Sequence, residues 1–391
     1  MNEALAHDRS VPQTAAVVEP PLRTHDAGAD AVKGLLITLI ALGHDGPAFV
    51  ALPWLTRFLY GFHVIGFLLL PFLLPAARAD RRVLTDRAIR YLVPYAAFVL
   101  LSACLYTLIS AREVPAATVL SRVAIALYSG SAMHLKRACG LALFWFLPTL
   151  FSLTVLRAGL HAAATIRTSG MAKAMVTIQP PLLVLALAAH ATVALSPEFS
   201  TLLPLGLGPA LLALPLGLAA GRLWPWARSH PAVTCVVAAA IAWASVRTGS
   251  HVNLGEMGWG DARQPLQLAL QDAHAVSMFL AIAVAGPWLA RVPGLARLGR
   301  LSMGVYLGHS FVLQALLIGT TRAGLEPLGR NAAMMALPFL VIAVAGGVVF
   351  ALVLEREPLR RWILPRGLHD WPLTSHLAVR PGTAPAPSTL R

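Results

Sequence analysis

A chain of 391 residues with 57% hydrophobic residues, 12% charged residues and a mean hydropathy of +0.69 falls outside soluble globular usage and reads as an all-α, polytopic membrane protein. A formal net charge of +14 would point to nucleic acid in a soluble chain; here the basic residues lie in short loops between apolar runs, so topology accounts for them and nucleic acid is not an expected partner. Three cysteines without ligand spacing, Cys104, Cys139 and Cys235, indicate neither a disulfide framework nor a zinc site.

Residues 1–30 are polar and contain proline, lack the apolar centre of a signal peptide, and read as a disordered cytoplasmic tail. Residues 31–356 form the membrane domain. Apolar runs near 34–52, 58–75, 91–110, 140–156, 174–195, 200–220, 231–246, 275–290, 301–318 and 332–354 make about ten candidate transmembrane helices, several interrupted by proline. Residues 357–391 follow as a cytoplasmic carboxyl-terminal tail ending in the Pro-rich "VRPGTAPAPSTLR". With the amino terminus inside, 22 of the 31 Lys and Arg residues fall on the inner side and 9 on the outer side, which predicts cytoplasmic termini in a bacterial-type inner membrane.

The first run, "KGLLITLIALGHD", holds a histidine in an apolar stretch. Lys33 and His44 are eleven residues apart, about three helical turns plus roughly 20°, so they share a helix face and lie roughly 16 Å apart along the axis. Asp45 points about 100° away from His44 and marks a turn toward the outside. His63, in "LYGFHVIGFLLL", and His309, in "LSMGVYLGHSFVL", fall by residue count in the same middle third of the bilayer. An ionisable side chain at that depth is costly and usually functional, although a histidine can also tie helices together by hydrogen bonding. Burial favours the uncharged imidazole that a general base needs. No carboxylate accompanies the three histidines at that level, so no metal is predicted. Tyr306 lies three residues before His309 and is expected to line the same cavity.

Between the second and third runs, "RADRRVLTDRAIRYLVPY" carries five arginines. Arg87 and Arg90 share a helix face and form a two-pronged guanidinium site suited to phosphate; positive-inside topology accounts for most of the others. Lys33 has its own plain role as an interfacial anchor. The outer loop "RTGSHVNLGEMGWGDARQPLQLALQDAH", with His251, Asn253, Glu256, Trp259, Asp261 and Arg263, offers polar groups beside an aromatic face for a sugar, or an amphipathic interfacial segment.

In order and spacing these stretches resemble the acyltransferase-three family of integral membrane O-acyltransferases, in particular its sugar O-acetylase branch. The resemblance runs from about Asp30 to Arg361. It is carried by Lys33 and His44 with ten residues between them, by "FLYGFHVIGFLLL", by "RAIRYLVPY", and more weakly by "FWFLPTLF" around Trp145 and by "RLGRLSMGVYLGHSFV". The chain departs from the family in having Lys33 where an arginine is usual, and Pro71 and Phe72 where Ser-Gly is frequent.

The resemblance implies that His44 is catalytic, with Lys33 in the position of the family's basic residue, and that Arg87 and Arg90 hold an acyl-CoA donor, acetyl-CoA or another. His63, Trp145, Tyr306 and His309 are the further cavity candidates. The implied acceptor is a hydroxyl of a glycan or lipid-linked saccharide, and His44 would act either as base or as transient acyl carrier. A multi-pass transporter or flippase is the alternative from another class, since proline-broken spans with buried histidines also describe proton-coupled carriers; the lack of a visible internal repeat weighs against it.

Overall fold

The computed structural model describes residues 26–73, 80–110, 115–166, 180–195, 197–248, 265–368 and 370–373. Among them every regular element is helical. In chain order the α-helices are α1 (Ala27–Gly43), α2 (Gly46–Ala51), α3 (Pro53–Tyr60), α4 (His63–Leu69), α5 (Arg81–Ser110), α6 (Ala116–Ser129), α7 (Ala132–Cys139), α8 (Phe146–Ile166), α9 (Pro180–Leu195), α10 (Pro197–Leu202), α11 (Leu207–Ser229), α12 (Pro231–Arg247), α13 (Pro265–Val284), α14 (Gly286–Leu289), α15 (Leu295–Arg300), α16 (Ser302–Arg322), α17 (Ala332–Leu354) and α18 (Leu359–Ile363).

Seven described stretches are long and apolar enough to cross a membrane: Pro53–Leu73, Arg81–Leu108, Leu143–Ala162, Pro204–Ser229, Leu266–Val284, Ser302–Arg322 and Ala332–Leu354. Ala116–Ser129, Val184–Ala194 and Pro231–Arg247 are shorter apolar helices. The chain is an all-α, multi-pass membrane protein.

Four local findings differ from the hydropathy reading. The amino-terminal boundary moves forward by a few residues, because Asp26 Oδ1 accepts the backbone N–H groups of Gly28 (2.9 Å) and Ala29 (3.1 Å) and so starts α1 at Ala27.

The run 34–52 is not one helix. α1 ends at Gly43, His44 is its C-cap, and Asp45 Oδ1 accepts the Ala48 N–H at 3.1 Å to start α2. Pro47 fits the first turn of a new helix but would break the interior of a continuous one.

The stretch between the third and fourth runs, expected as an outer loop, contains the α6–α7 pair. These helices are about 21 Å and about 12 Å long, too short to cross. The Tyr95 hydroxyl, near the middle of α5, donates to the Ala126 carbonyl at 2.5 Å, which sets the end of α6 beside the middle of that helix. Gly130 turns the chain there with φ +62°, a conformation that L side chains rarely adopt, and a Cβ at that position would lie 2.7 Å from Pro148. α7 then returns so that Gly140 meets Tyr106 near the far end of α5. The pair is a hairpin that turns back beside the middle of α5.

α1 and α15 touch backbone to backbone. A Cβ on Gly299 would lie 1.7 Å from the Asp30 carbonyl oxygen, and one on Gly34 2.1 Å from that of Leu295. Asp30 also pairs with Lys33 Nζ (2.8 Å) and, more loosely, with Arg300 Nη1 (3.9 Å). Replacing Gly299 with valine is therefore expected to push α15 off α1 and to destabilise the fold by at least about 1–3 kcal/mol. A lowered midpoint in detergent-solubilised thermal unfolding would show it; an unchanged midpoint would contradict this packing.

The segment assigned to the carboxyl-terminal tail is folded over its described part. Arg360 bonds both Glu357 and Asp370, and the Leu368 N–H donates to Asp86 Oδ1 at 2.7 Å, docking this segment on the start of α5.

Candidate functional site

Because α1 stops at Gly43, the half-buried His44 ring leaves the helix end instead of lying along its side. α3 and α4 then bring His63 beside it: the Tyr60 hydroxyl donates to the Gly43 carbonyl at 3.0 Å, and a Cβ on Gly43 would lie 2.7 Å from His63 Nε2. α16 supplies His309 from the other side. The three histidines expected at one depth do meet. The His44 ring centroid is 5.4 Å from that of His309, stacked at 27°, and 6.5 Å from that of His63.

The hydrogen bonds fix a consistent set of tautomers. His309 Nδ1 lies 3.1 Å from the Val305 carbonyl oxygen, which only accepts, so this nitrogen donates and His309 Nε2 is left as an acceptor. His44 Nδ1, 3.1 Å from that Nε2, must then donate to it. The acceptor nitrogen of His44 is therefore Nε2, on a ring that lines a cavity. His63 Nδ1 donates to the Leu59 carbonyl at 2.5 Å, and its Nε2 is buried without a hydrogen-bond partner among the described residues.

The cavity has a volume of about 290 Å³. His44 and His63 form part of its wall together with Trp145, Gly140–Leu143, Leu313, Gln314 and Phe339, while Lys136 and Leu328 lie toward one end of the bundle. Trp145, only 6% exposed, lines this cavity. Tyr306 and His309 are neighbours, 6.0 Å between rings, but neither is part of the cavity wall; the Tyr306 hydroxyl donates to the Leu143 carbonyl and holds the wall from behind.

The remaining expected residues lie elsewhere. Lys33 is bonded to Asp30, toward the other end of α1 from His44. Arg87 and Arg90 do share a face of α5, in its early turns, but do not line the cavity. Arg87 Nη1 donates to the Tyr91 hydroxyl at 3.4 Å, Arg90 is exposed, and neither is ion-paired among the described residues. The cavity end near Gly140 is level with Tyr106, so along α5 it is about 29 Å from Arg87 and about 24 Å from Arg90. The histidines lie between, near the level of Phe98, which packs at a tilt against Phe311 next to the His309 turn. His251, Asn253, Glu256, Trp259, Asp261 and Arg263 lie outside the described residues.

Several polar residues were not anticipated. Lys136 reads in sequence only as one more basic residue of an outer loop. His190 Nε2 meets Asp272 Oδ2 at 3.1 Å between α9 and α13, and His274 Nδ1 bonds Ser245 Oγ at 3.1 Å between α13 and α12. The sequence "LQDAH" carries that second signal, but it precedes the apolar run taken as the span. Phe72, one of the departures from the family pattern, is held under the Arg157 guanidinium at 5.3 Å. Among the described residues no group of three or more His, Cys, Asp or Glu is placed to hold a metal ion.

No curated protein and no solved structure matches the chain. A family model does: that of the acyltransferase domain of the acyltransferase-three type, over residues 26–356, from the N-cap of α1 to just beyond α17. A multi-pass bundle with a broken first helix, a cluster of three histidines beside a cavity and this match across most of its length identifies the protein as a membrane acyltransferase belonging to the acyltransferase-three family.

Proposed function

We propose that the protein transfers an acyl group, acetyl in the simplest case, from cytoplasmic acyl-CoA to a sugar hydroxyl of an exported glycan or lipid-linked saccharide, in an inner membrane with both termini cytoplasmic. The carrying observation is the hydrogen-bonded order Val305 carbonyl, His309, His44, which ends on a ring that lines the cavity and keeps its Nε2 as acceptor. His44 Nε2 accepts the proton of the acceptor hydroxyl as its oxygen attacks the thioester carbonyl carbon. The carbon–sulfur bond breaks, an ester forms, and the coenzyme A thiolate leaves and takes the proton back from the imidazolium.

Acyl-CoA enters as donor substrate from the arginine side. Arg87 and Arg90, without carboxylate partners among the described residues, suit its phosphates, and the extended pantetheine arm suits the separation between them and the histidines. The acceptor enters by the cavity from the opposite end, where the Trp145 ring offers an apolar face to a sugar.

Purified protein given labelled acetyl-CoA tests this: thiol release that requires a glycan acceptor supports acyl transfer, and its absence with every glycan offered argues against it. His309 is a positioning residue that touches His44 and not the substrate. Exchange of His309 for alanine is expected to lower kcat about 10–100-fold with little change in KM, by releasing the His44 tautomer. His309→Gln should recover part of the loss, since the Gln carbonyl can accept from His44 Nδ1. Equal kcat in all three proteins would contradict the relay.

A further inference from the structure

Among the described residues, the cavity that reaches His44 is lined by a fixed charge at only one place. Lys136, near the end of α7, is the single lining residue with a fixed charge, and no carboxylate lines the cavity among the described residues. Lys136 is exposed and has no ion-pair partner there. The hairpin explains its position. α6 descends to the level of Tyr95, Gly130 reverses the chain, and α7 climbs back one short arm, which sets Lys136 near the Gly140 end of the cavity instead of in a surface loop. Gln314 of α16 faces the same space with an amide able to donate and accept. The rest of the wall is largely apolar, with Trp145 as a stacking surface.

Lys136 is exposed at that end of the cavity, and a lysine ammonium is a compact point charge with three donors that suits a carboxylate or phosphate oxygen. Its side chain lies at the end remote from Arg87 and Arg90, so it serves the molecule entering there and not the donor phosphates. From this juxtaposition we propose that the acceptor is anionic, and that Lys136 binds a carboxylate or phosphate carried near the hydroxyl that His44 deprotonates. The selection is for acidic over neutral saccharides. It rests on the acyl-transfer reading above for what happens to the bound acceptor, but the recognition step is separable from the chemistry.

The test uses the full-length protein in nanodiscs of zwitterionic lipid and equilibrium binding of three probes: tetragalacturonate, a maltotetraose phosphate ester, and neutral maltotetraose. At least one anionic probe is expected to bind about tenfold more tightly than the neutral one, equivalent to about 1.4 kcal/mol, and the two anionic probes separate carboxylate from phosphate recognition. The preference should vanish in Lys136→Gln, invert in Lys136→Glu and persist in Lys136→Arg; because the side chain is exposed, these exchanges leave the packing intact. Equal affinity for all probes, no binding of either anion, a preference that survives Lys136→Gln, or one abolished by anionic lipid in the disc, overturns the inference. Thiol release from acetyl-CoA, run in parallel, distinguishes the two claims. His44-dependent transfer that ignores acceptor charge removes the role of Lys136 and leaves the enzyme. Charge-selective binding without His44-dependent transfer does the reverse.

Discussion

Replacing His44 with alanine is expected to lower acyl transfer by about a thousandfold while leaving protein abundance near that of the parent, because a positioned general base contributes about 10²–10⁴ to rate. The ring ends α1 and faces a cavity, so its removal enlarges that cavity without opening a packed core. The hydrogen bond that depends on it is the one to His309 Nε2, which can be taken by water. Turnover per folded molecule, with abundance measured on the same preparation, checks the expectation. Retention of more than about a tenth of parental turnover would show that another group moves the proton.

The second large effect is expected at the other end of the bundle. Exchange of Arg87 and Arg90 together for glutamine should raise the half-saturating acyl-CoA concentration about 100-fold, with the acceptor value nearly unchanged. Hydrogen bonds to charged groups contribute about 1.5–3 kcal/mol each, and solvent exposure at Arg90 places the pair toward the low end. Steady-state kinetics with each substrate varied in turn separates this from a general loss. Accessibility labelling of the termini is the control, since removing two basic residues at a helix start also weakens the topological signal. An equal rise for donor and acceptor would place the arginines outside the donor site.

Much of this arrangement was legible in the residues. Counting along the apolar runs sets His44, His63 and His309 at one depth, and their rings do meet. Hydropathy misses what depends on short-range geometry. The turn signals in "GHDGP" were present, an Asp ready to cap and a Pro suited to a first turn, but a window wide enough to find a span averages over a break two residues long. The same averaging hides the hairpin: α6 and α7 are each shorter than a span, and their turns rest on Gly130 and Gly140 at positive φ, which a sequence does not distinguish from ordinary loop glycines.

Lys136 shows the limit differently. In a count of basic residues it is one charge among the 9 on the outer side, and only the folded hairpin gives it a cavity to face. The His190–Asp272 pair escaped because its carboxylate lies in the first turns of α13, ahead of the most apolar stretch. Lys33 lies on α1, of which His44 is the C-cap, but it is bonded to Asp30, and nothing in a spacing of eleven reveals a partner three residues earlier.

The most direct test of a mid-membrane histidine as the meeting point of donor and acceptor uses sealed proteoliposomes, with labelled acetyl-CoA confined to one side and the glycan to the other. Label is expected to appear in the glycan compartment as ester, without acetyl-CoA crossing, and His44→Ala vesicles are expected to show none. Ester formed only when both substrates share a compartment would contradict it.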